Sequence, residues 1–137
     1  MVEQGLVMLI QAGLGSPPVI LGGFSDMLPK DTISQTTPMA WVYHSISSDP
    51  SFKWSGQSSW TDWYVQIDCH GYAADDALSL MRMIDNILRG PFHGRLPDPD
   101  ATLVHGIWRE APNISGYSDA NRTYVRSLEY KVQYLQI

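Results

Sequence analysis

The chain has 137 residues, 44% of them hydrophobic and 17% charged, with nine Lys and Arg against fourteen Asp and Glu for a net charge of −5. That is enough sequence for one domain with a buried core, and its apolar content excludes global disorder. The acidic balance argues against a nucleic-acid-binding module, which needs a basic surface to displace phosphate counterions.

No apolar run approaches the ~20 residues that cross a bilayer; the longest is Leu6 to Ile10. Glu3 stands where a signal peptide would carry Lys or Arg, so no such peptide is expected. The single cysteine, Cys69, excludes a disulfide framework within the chain. It fits a reducing compartment, as a small buried hydrophobe. The charged fraction is low for a soluble domain, while Trp and Tyr together number twelve, five and seven respectively. Either these aromatics fill the chain's own core, or part of the surface is buried against other subunits, where Tyr, Trp and Met are favoured.

In chain order, Val2, Leu6, Leu9, Ile10 and Gly13 have helical spacing and predict a short helix over residues 2 to 14. Gly13 and Gly15 end it, and Pro17-Pro18 stop it. Val19-Ile20-Leu21 is compatible with a short strand before Gly22-Gly23. Pro29, Asp31, Ser34, Thr36, Thr37 and Pro38 then mark a long surface excursion, of a length that is usually functional or flexible.

Residues 39 to 47 predict a strand. Met39, Trp41 and Tyr43 share one face, and Ala40, Val42, His44 and Ile46 the other. Both faces are largely apolar, so the strand is expected to be central and covered on both sides. Residues 48 to 59 read as a polar hairpin arm carrying Phe52 and Trp54, with the strand of residues 60 to 70 returning antiparallel. Two aromatics on a Ser-rich arm serve either as cross-strand contacts or as contacts for a neighbouring protein. The second role fits the arm's polar composition better.

In the returning strand Trp63, Val65, Ile67 and Cys69 lie on one side and Tyr64, Gln66, Asp68 and His70 on the other. Gly71 breaks it. Ala77, Leu80, Met81, Ile84, Ile87 and Leu88 then give one apolar stripe over a helix of residues 74 to 89. Asp75 and Asp76 at its start and Arg89 at its end match the helix dipole, and Gly90-Pro91 terminates it.

After a Pro- and Gly-rich connection over 92 to 100, residues 101 to 109 predict a strand with Leu103, His105 and Ile107 opposite Val104 and Trp108. Residues 110 to 121 read as a polar loop. Residues 122 to 135 predict a long final strand. Tyr124, Leu128, Tyr130, Val132 and Tyr134 face the core, and Val125, Ser127, Glu129, Lys131 and Gln133 face polar surroundings. The expectation is therefore a single α+β domain over residues 1 to 137, in the order α-β-β-α-β-β. Its mainly antiparallel sheet carries helices packed on one face.

The residues offer little chemistry. Cys69 and His70 are adjacent and so point to opposite faces of a strand, which prevents both from holding one zinc ion. No Cys-x-x-Cys or His-x-x-x-His spacing supports a metal site, and none is expected. A Cys69–His70 nucleophile would need an exposed thiol of lowered pKa, and Cys69 falls on the apolar face. Asp75-Asp76 is explained by helix capping and Asp98-Pro99-Asp100 by turn chemistry. Gly22-Gly23 lacks the residues of a phosphate loop, and no cofactor motif is present. Asn113-Ile-Ser115 and Asn121-Arg-Thr123 match a glycosylation pattern that has no meaning without secretion.

The strand Pro38-Met-Ala-Trp-Val-Tyr-His-Ser-Ile-Ser47 leads to Trp63-Tyr-Val-Gln-Ile-Asp-Cys-His70. The helix from Tyr72 to Leu88 follows, and the chain closes on Tyr124-Val-Arg-Ser-Leu-Glu-Tyr-Lys-Val-Gln-Tyr134. This layout resembles the tail-completion (tail-terminator, head–tail joining) proteins of long-tailed bacteriophages and prophages. The resemblance covers nearly the whole chain in element order. Its most specific pieces are Val65-Gln-Ile-Asp-Cys69 running into the helix and the Arg126-Ser-Leu-Glu-Tyr-Lys-Val132 ending.

It implies a non-enzymatic virion protein of the tail or neck, assembled in the host cytoplasm as a ring, usually of six subunits. Such a ring caps the tail tube and meets the head connector. The implied partners are further copies of the chain, the tail-tube protein and the head-completion protein. DNA passes through the lumen without specific binding, and no membrane is involved. Candidate docking segments are the arm of residues 48 to 60, the loop of residues 110 to 122 and the excursion of residues 24 to 37. Within the first two, Phe52, Trp54, Trp60 and Tyr117 are the candidate contact residues. Two other readings stand beside this one: a different neck or tube adaptor of the same fold, and a small enzyme with a cryptic site near Cys69 and His70.

Overall fold

A computed structural model describes residues 2–14, 20–25, 33–34, 37–53, 56–88, 94–97, 101–118 and 122–135, with the backbone alone described for 20–25, 49–53, 56–59 and 111–113. The elements run α1 (Val2–Leu14), β1 (Ile20–Ser25), β2 (Met39–Lys53), β3 (Gly56–Gly71), α2 (Ala74–Leu88), β4 (Gly94–Arg95), β5 (Leu103–Ser118) and β6 (Thr123–Leu135). The strands form one sheet in the order β1-β2-β3-β6-β5-β4. All neighbours are antiparallel except β1 and β2. The α+β class, the antiparallel sheet and the two helices are as expected, and two short strands, β1 and β4, extend its edges.

The alternation along β3 puts Trp63, Val65, Ile67 and Cys69 in the core, each no more than 2% exposed. Their ladder partners on β6, Val132, Tyr130, Leu128 and Arg126, stand on the same face, and the first three of these are buried. Leu6 and Ile10 of α1, and Leu80, Met81, Ile84 and Leu88 of α2, complete the same cluster. Both helices thus lie on one face of the sheet. Each such side chain contributes roughly 1.5–3 kcal/mol on burial, before conformational entropy is subtracted.

The turn from β3 into α2 is tight. The Asp76 carboxylate accepts a hydrogen bond from the Ala73 N–H at 3.0 Å, holding the first turn from within. A Cβ on Gly71 would lie 2.3 Å from the backbone nitrogen of Ala77 and 2.7 Å from the carbonyl oxygen of Ala73. Only glycine fits there. Where the helices cross, a Cβ on Gly13 would meet Ile87 at 2.7 Å.

Polar groups accompany the core. Asp85 of α2 is 7% exposed. It accepts a hydrogen bond from the Tyr130 hydroxyl at 2.6 Å and faces the Arg109 guanidinium at 3.4 Å. These contacts tie the helix to β6 and β5. Burial, with the Asp85 carboxylate second, pushes the Tyr130 phenol well above its ordinary pKa. The Trp63 indole N–H donates to Ser45 Oγ at 2.8 Å.

Some expectations are corrected. β2 is buried on both faces only at its start: Ala40, Trp41 and Val42 are at most 1% exposed, with Ile33 packed on the first and last of these. A register shift between Ser45 and Ser47 then turns Ile46 out, 50% exposed. The polar loop expected over residues 110 to 121 is strand as far as Ser118. The long β6 supplies a pairing template, and Pro112, which has no N–H to donate, falls in the register shift between Ala111 and Ile114.

A second shift, between Val104 and Gly106, breaks the alternation predicted for β5. Val104 and Ile107 are buried together, while Trp108 is exposed along with His105. Tyr124, placed in the core by its spacing, is 43% exposed. It pairs with Gly71 at the very end of β3, where the chain leaves the sheet for α2. Arg89 and most of the 24–37 excursion lie outside the described residues.

Gly71→Ala is expected to destabilise the fold by on the order of 3 kcal/mol, because the clashing atoms are backbone. Urea denaturation followed by circular dichroism measures this, and an unchanged midpoint would refute the assigned turn geometry.

Candidate docking surfaces

The face of the sheet away from the helices carries hydrogen-bonded polar side chains. Asp68 accepts from His44 Nε2 at 2.8 Å, from Gln66 Nε2 at 2.8 Å and from Ser127 Oγ at 2.7 Å. Although His, Asp and Ser meet here, Ser127 bonds to the carboxylate rather than to the imidazole, which is not the order of a nucleophilic triad. Nearer the other end of the strands, His105 Nδ1 donates to Gln133 Oε1 at 2.7 Å, and Gln133 Nε2 donates to Asp62 at 2.9 Å.

An aromatic group surrounds His105. Its ring centroid lies 5.5 Å from that of Trp60 and 6.0 Å from that of Trp108. Lys131 Nζ sits 5.0 Å over the Trp108 ring and 3.9 Å from Glu110. The bulge that turns His105 outward also lets Trp108 fold over Gly106, where a Cβ would meet the indole at 2.6 Å.

A different surface forms where β5 and β6 turn back on each other. Tyr117 and Tyr124 meet edge to face, with centroids 5.1 Å apart. Ile114 is 69% exposed, Tyr117 53% and Tyr72 51%. A groove of about 420 Å³ on the helix side is lined by Ala74, Ala77, Ser115, Tyr117, Tyr124 and Arg126. A smaller one, about 200 Å³, lies on the opposite face beside Ile114, Gly116 and Ser127. Among the described residues, Arg126 is the only side chain lining either groove that is charged at neutral pH.

Of the four sequence-predicted contact residues, the structure places the side chains of Trp60 and Tyr117, and it separates them. Trp60 pairs with Leu135 and Tyr117 with Tyr124. They therefore stand at opposite ends of β6, about 37 Å apart at ~3.4 Å per residue. Trp60 joins the His105 group and is half-buried, while Tyr117 joins the tyrosine pair. Phe52 is in β2 opposite Gln57, and its side chain lies outside the described residues, as does Trp54 altogether. Sequence reasoning missed Trp108, Tyr124, Ile114 and Tyr72. The uncharged run Ile114-Ser-Gly-Tyr-Ser118 was a usable signal for Ile114, whereas the exposure of Trp108 depends on the bulge.

Cys69 is fully buried on the helix face, and burial, reinforced by the Asp68 carboxylate, pushes its thiol well above the ordinary range. His70 points to the other face, where its Nδ1 meets Thr123 Oγ1 at 2.8 Å. Burial lowers the His70 pKa, with Asp68 opposing the shift and His44 adding to it. The pair is thus not an activated thiolate. Among the described residues no group of three His, Cys, Asp or Glu could hold a metal ion, and no helix is long and apolar enough to cross a membrane.

No protein-family model and no curated protein sequence matches the chain. Its fold is found in solved structures. It is similar to a chain of the "Virion of native gene transfer agent (GTA) particle", with a TM-score of 0.53 at 10% identity, covering 98% of this chain and 95% of that one. The class defined at this level is an α+β domain whose fold is shared with a chain of that particle. At that identity the likeness establishes the fold alone.

Two measurements check the site chemistry. A thiol reagent is expected to label Cys69 only after denaturation; rapid labelling of the native protein would show an accessible nucleophile. A folded-state pKa below the ordinary ~6.5 means the unfolded chain takes up a proton first. The stability conferred by neutral His70 is therefore complete above that value and is lost as the pH falls through it toward the folded pKa. The drop in melting temperature from neutral to mildly acidic pH should be smaller in His70→Gln; an equal drop would rule out His70 as its source.

Proposed function

We propose that this chain is a structural protein of a virion, acting as a ring of copies, usually six, that caps a tail tube and joins it to the head connector. The observation that carries this reading is the fold shared, over nearly the whole of both chains, with a component of an assembled virion particle. Exposed aromatics at two ends of the sheet support it, since Tyr and Trp anchor protein interfaces. Phe52, Trp54, Trp60 and Tyr117 remain the proposed contact residues, and the tail-tube and head-completion proteins the proposed partners. The reading requires no catalysis and no cofactor.

The charge fits the passage of DNA. Six copies at −5 each carry −30. The open sheet face bears Asp62, Asp68 and Glu129, paired with Gln133, Ser127 and Gln66 across the β3–β6 ladder. A wall of that sign repels phosphates and lets a genome slide past without sticking. A lumen lined mainly by Lys and Arg would contradict this.

Deleting the gene should leave filled heads and separate tails of uncontrolled length, and negative-stain images of the purified protein should show rings with a central hole. Normal tails attached to heads in the deletion strain would refute the assignment; tails of normal length left unattached would favour a different neck adaptor. Tyr117→Ala should leave the monomer's circular dichroism unchanged while weakening assembly, because truncating an interface aromatic often costs ~2 kcal/mol or more. Full assembly by that variant would remove Tyr117 from the interface.

A further inference from the structure

Among the described residues, the sheet ends in two edges that are only partly covered. β1 pairs with β2 as far as Tyr43, and no described strand continues along β2 from Ser45 to Ser48. β4 pairs with β5 at Leu103 and Val104 alone, and no described strand continues along β5 from Ile114 to Tyr117. Proteins guard such edges with charges, prolines and bulges. The upper part of β5 has all three: Arg109, Glu110, Pro112 and the register shifts between Val104 and Ile114.

Beyond Ile114 these guards stop. Pairing with β6 becomes regular, and Ile114-Ser-Gly-Tyr117 has no charge and no proline. Ser45-Ile-Ser-Ser48 is also uncharged, with a single bulge at Ile46. Each stretch exposes one isoleucine, Ile46 at 50% and Ile114 at 69%. Grooves flank the β5 stretch on both faces of the sheet, where the alternate side chains of an added strand would lie.

Polarity and spacing identify the occupant. β2, β3, β6 and β5 are successive antiparallel neighbours, so β2 and β5 run in opposite directions. A second copy rotated about a ring axis presents its β2 antiparallel to the β5 of the first. We propose that copies of this chain join edge to edge, with Ser45–Ser48 of one alongside Ile114–Tyr117 of the next, through antiparallel main-chain hydrogen bonds. This interface rests on the ring reading above and specifies its contact.

The offset between the two stretches suits closure. Through Tyr64, Ser47 is level with Lys131, and Gly116 is level with Val125, six residues away along β6. Six residues span about 20 Å, and four strands ~4.8 Å apart make each copy about 19 Å wide. Equal displacements along and across the strands lean them about 45° from the ring axis. Sheets close into barrels at tilts of about 35–45°.

Cysteine cross-linking tests the contact. Ser47 and Gly116 stand on the same open face, Cys69 is buried, and a Cβ on Gly116 meets nothing within 4 Å. The variants are Ser47→Cys and Gly116→Cys, singly and together, with Ser47→Cys plus Ile114→Cys to cover a register two residues away. After oxidation of the oligomer, non-reducing gels of at least one double variant should show a covalent ladder ending at the ring number, and the single variants none.

Oligomers that sediment normally but cross-link in neither double variant would overturn the edge pairing and leave the ring intact. So would a single variant that links to itself, since that requires like edges to meet. A chain that remains monomeric at every attainable concentration would overturn the ring and this contact together.

Discussion

Four alternate side chains of β3, Trp63, Val65, Ile67 and Cys69, are sealed beneath α2, and the remaining architecture follows from that contact. A strand has two faces, and burying one under a helix commits its neighbours β2, β6 and β5 to the same division. The helix begins only three residues after the strand ends, so the close turn at Gly71 sets where α2 crosses the sheet. Asp85 then joins the helix to Tyr130 and Arg109 from the middle of the packed layer. A buried carboxylate with partners on two strands penalises any sliding of helix over sheet, because a shift would leave charge unpaired in the interior.

The open face has a different physical character. Asp62, Asp68, His44 and His105 are hydrogen-bonded to one another or to amide and hydroxyl side chains within the ladder. Among the described residues, the large exposed apolar side chains other than Met8 of α1 lie at the ends and edges of the sheet: Ile46 on β2, Trp108 on β5, and Ile114, Tyr117, Tyr124 and Tyr72 where β5 and β6 turn. Contiguous exposed aromatics of this kind are the surface on which the proposed assembly contacts rest.

The elements with strong periodicity were legible in the sequence. Residues 63 to 70 alternate without interruption, and the stripe from Ala77 to Leu88 keeps helical spacing, so both elements stand where they were expected. The faces misread on β2 and β5 had bulges in them, whereas Tyr124 failed because it stands at the end of the β3–β6 ladder. A bulge adds one residue and reverses which face every later side chain occupies, and nothing local marks the one at His105. For the same reason the stretch from Glu110 to Ser118, rich in Pro, Asn, Ser and Gly, read as a loop although β6 holds it as strand. Of the proposed contact residues, Tyr117 is exposed, whereas Trp60 is half-buried beside a histidine 45 positions away in the chain.

The sequence by itself determined the class of the fold, the two helices, the inward face of β3 and the burial of the lone thiol. These depend on short-range periodicity and on the hydrophobic effect. Only the tertiary structure decided the order of the strands, the shape of the edges and the separation of Trp60 from Tyr117. Those features depend on which residues stand opposite one another across β6, and pairing between distant segments leaves no mark in the local pattern.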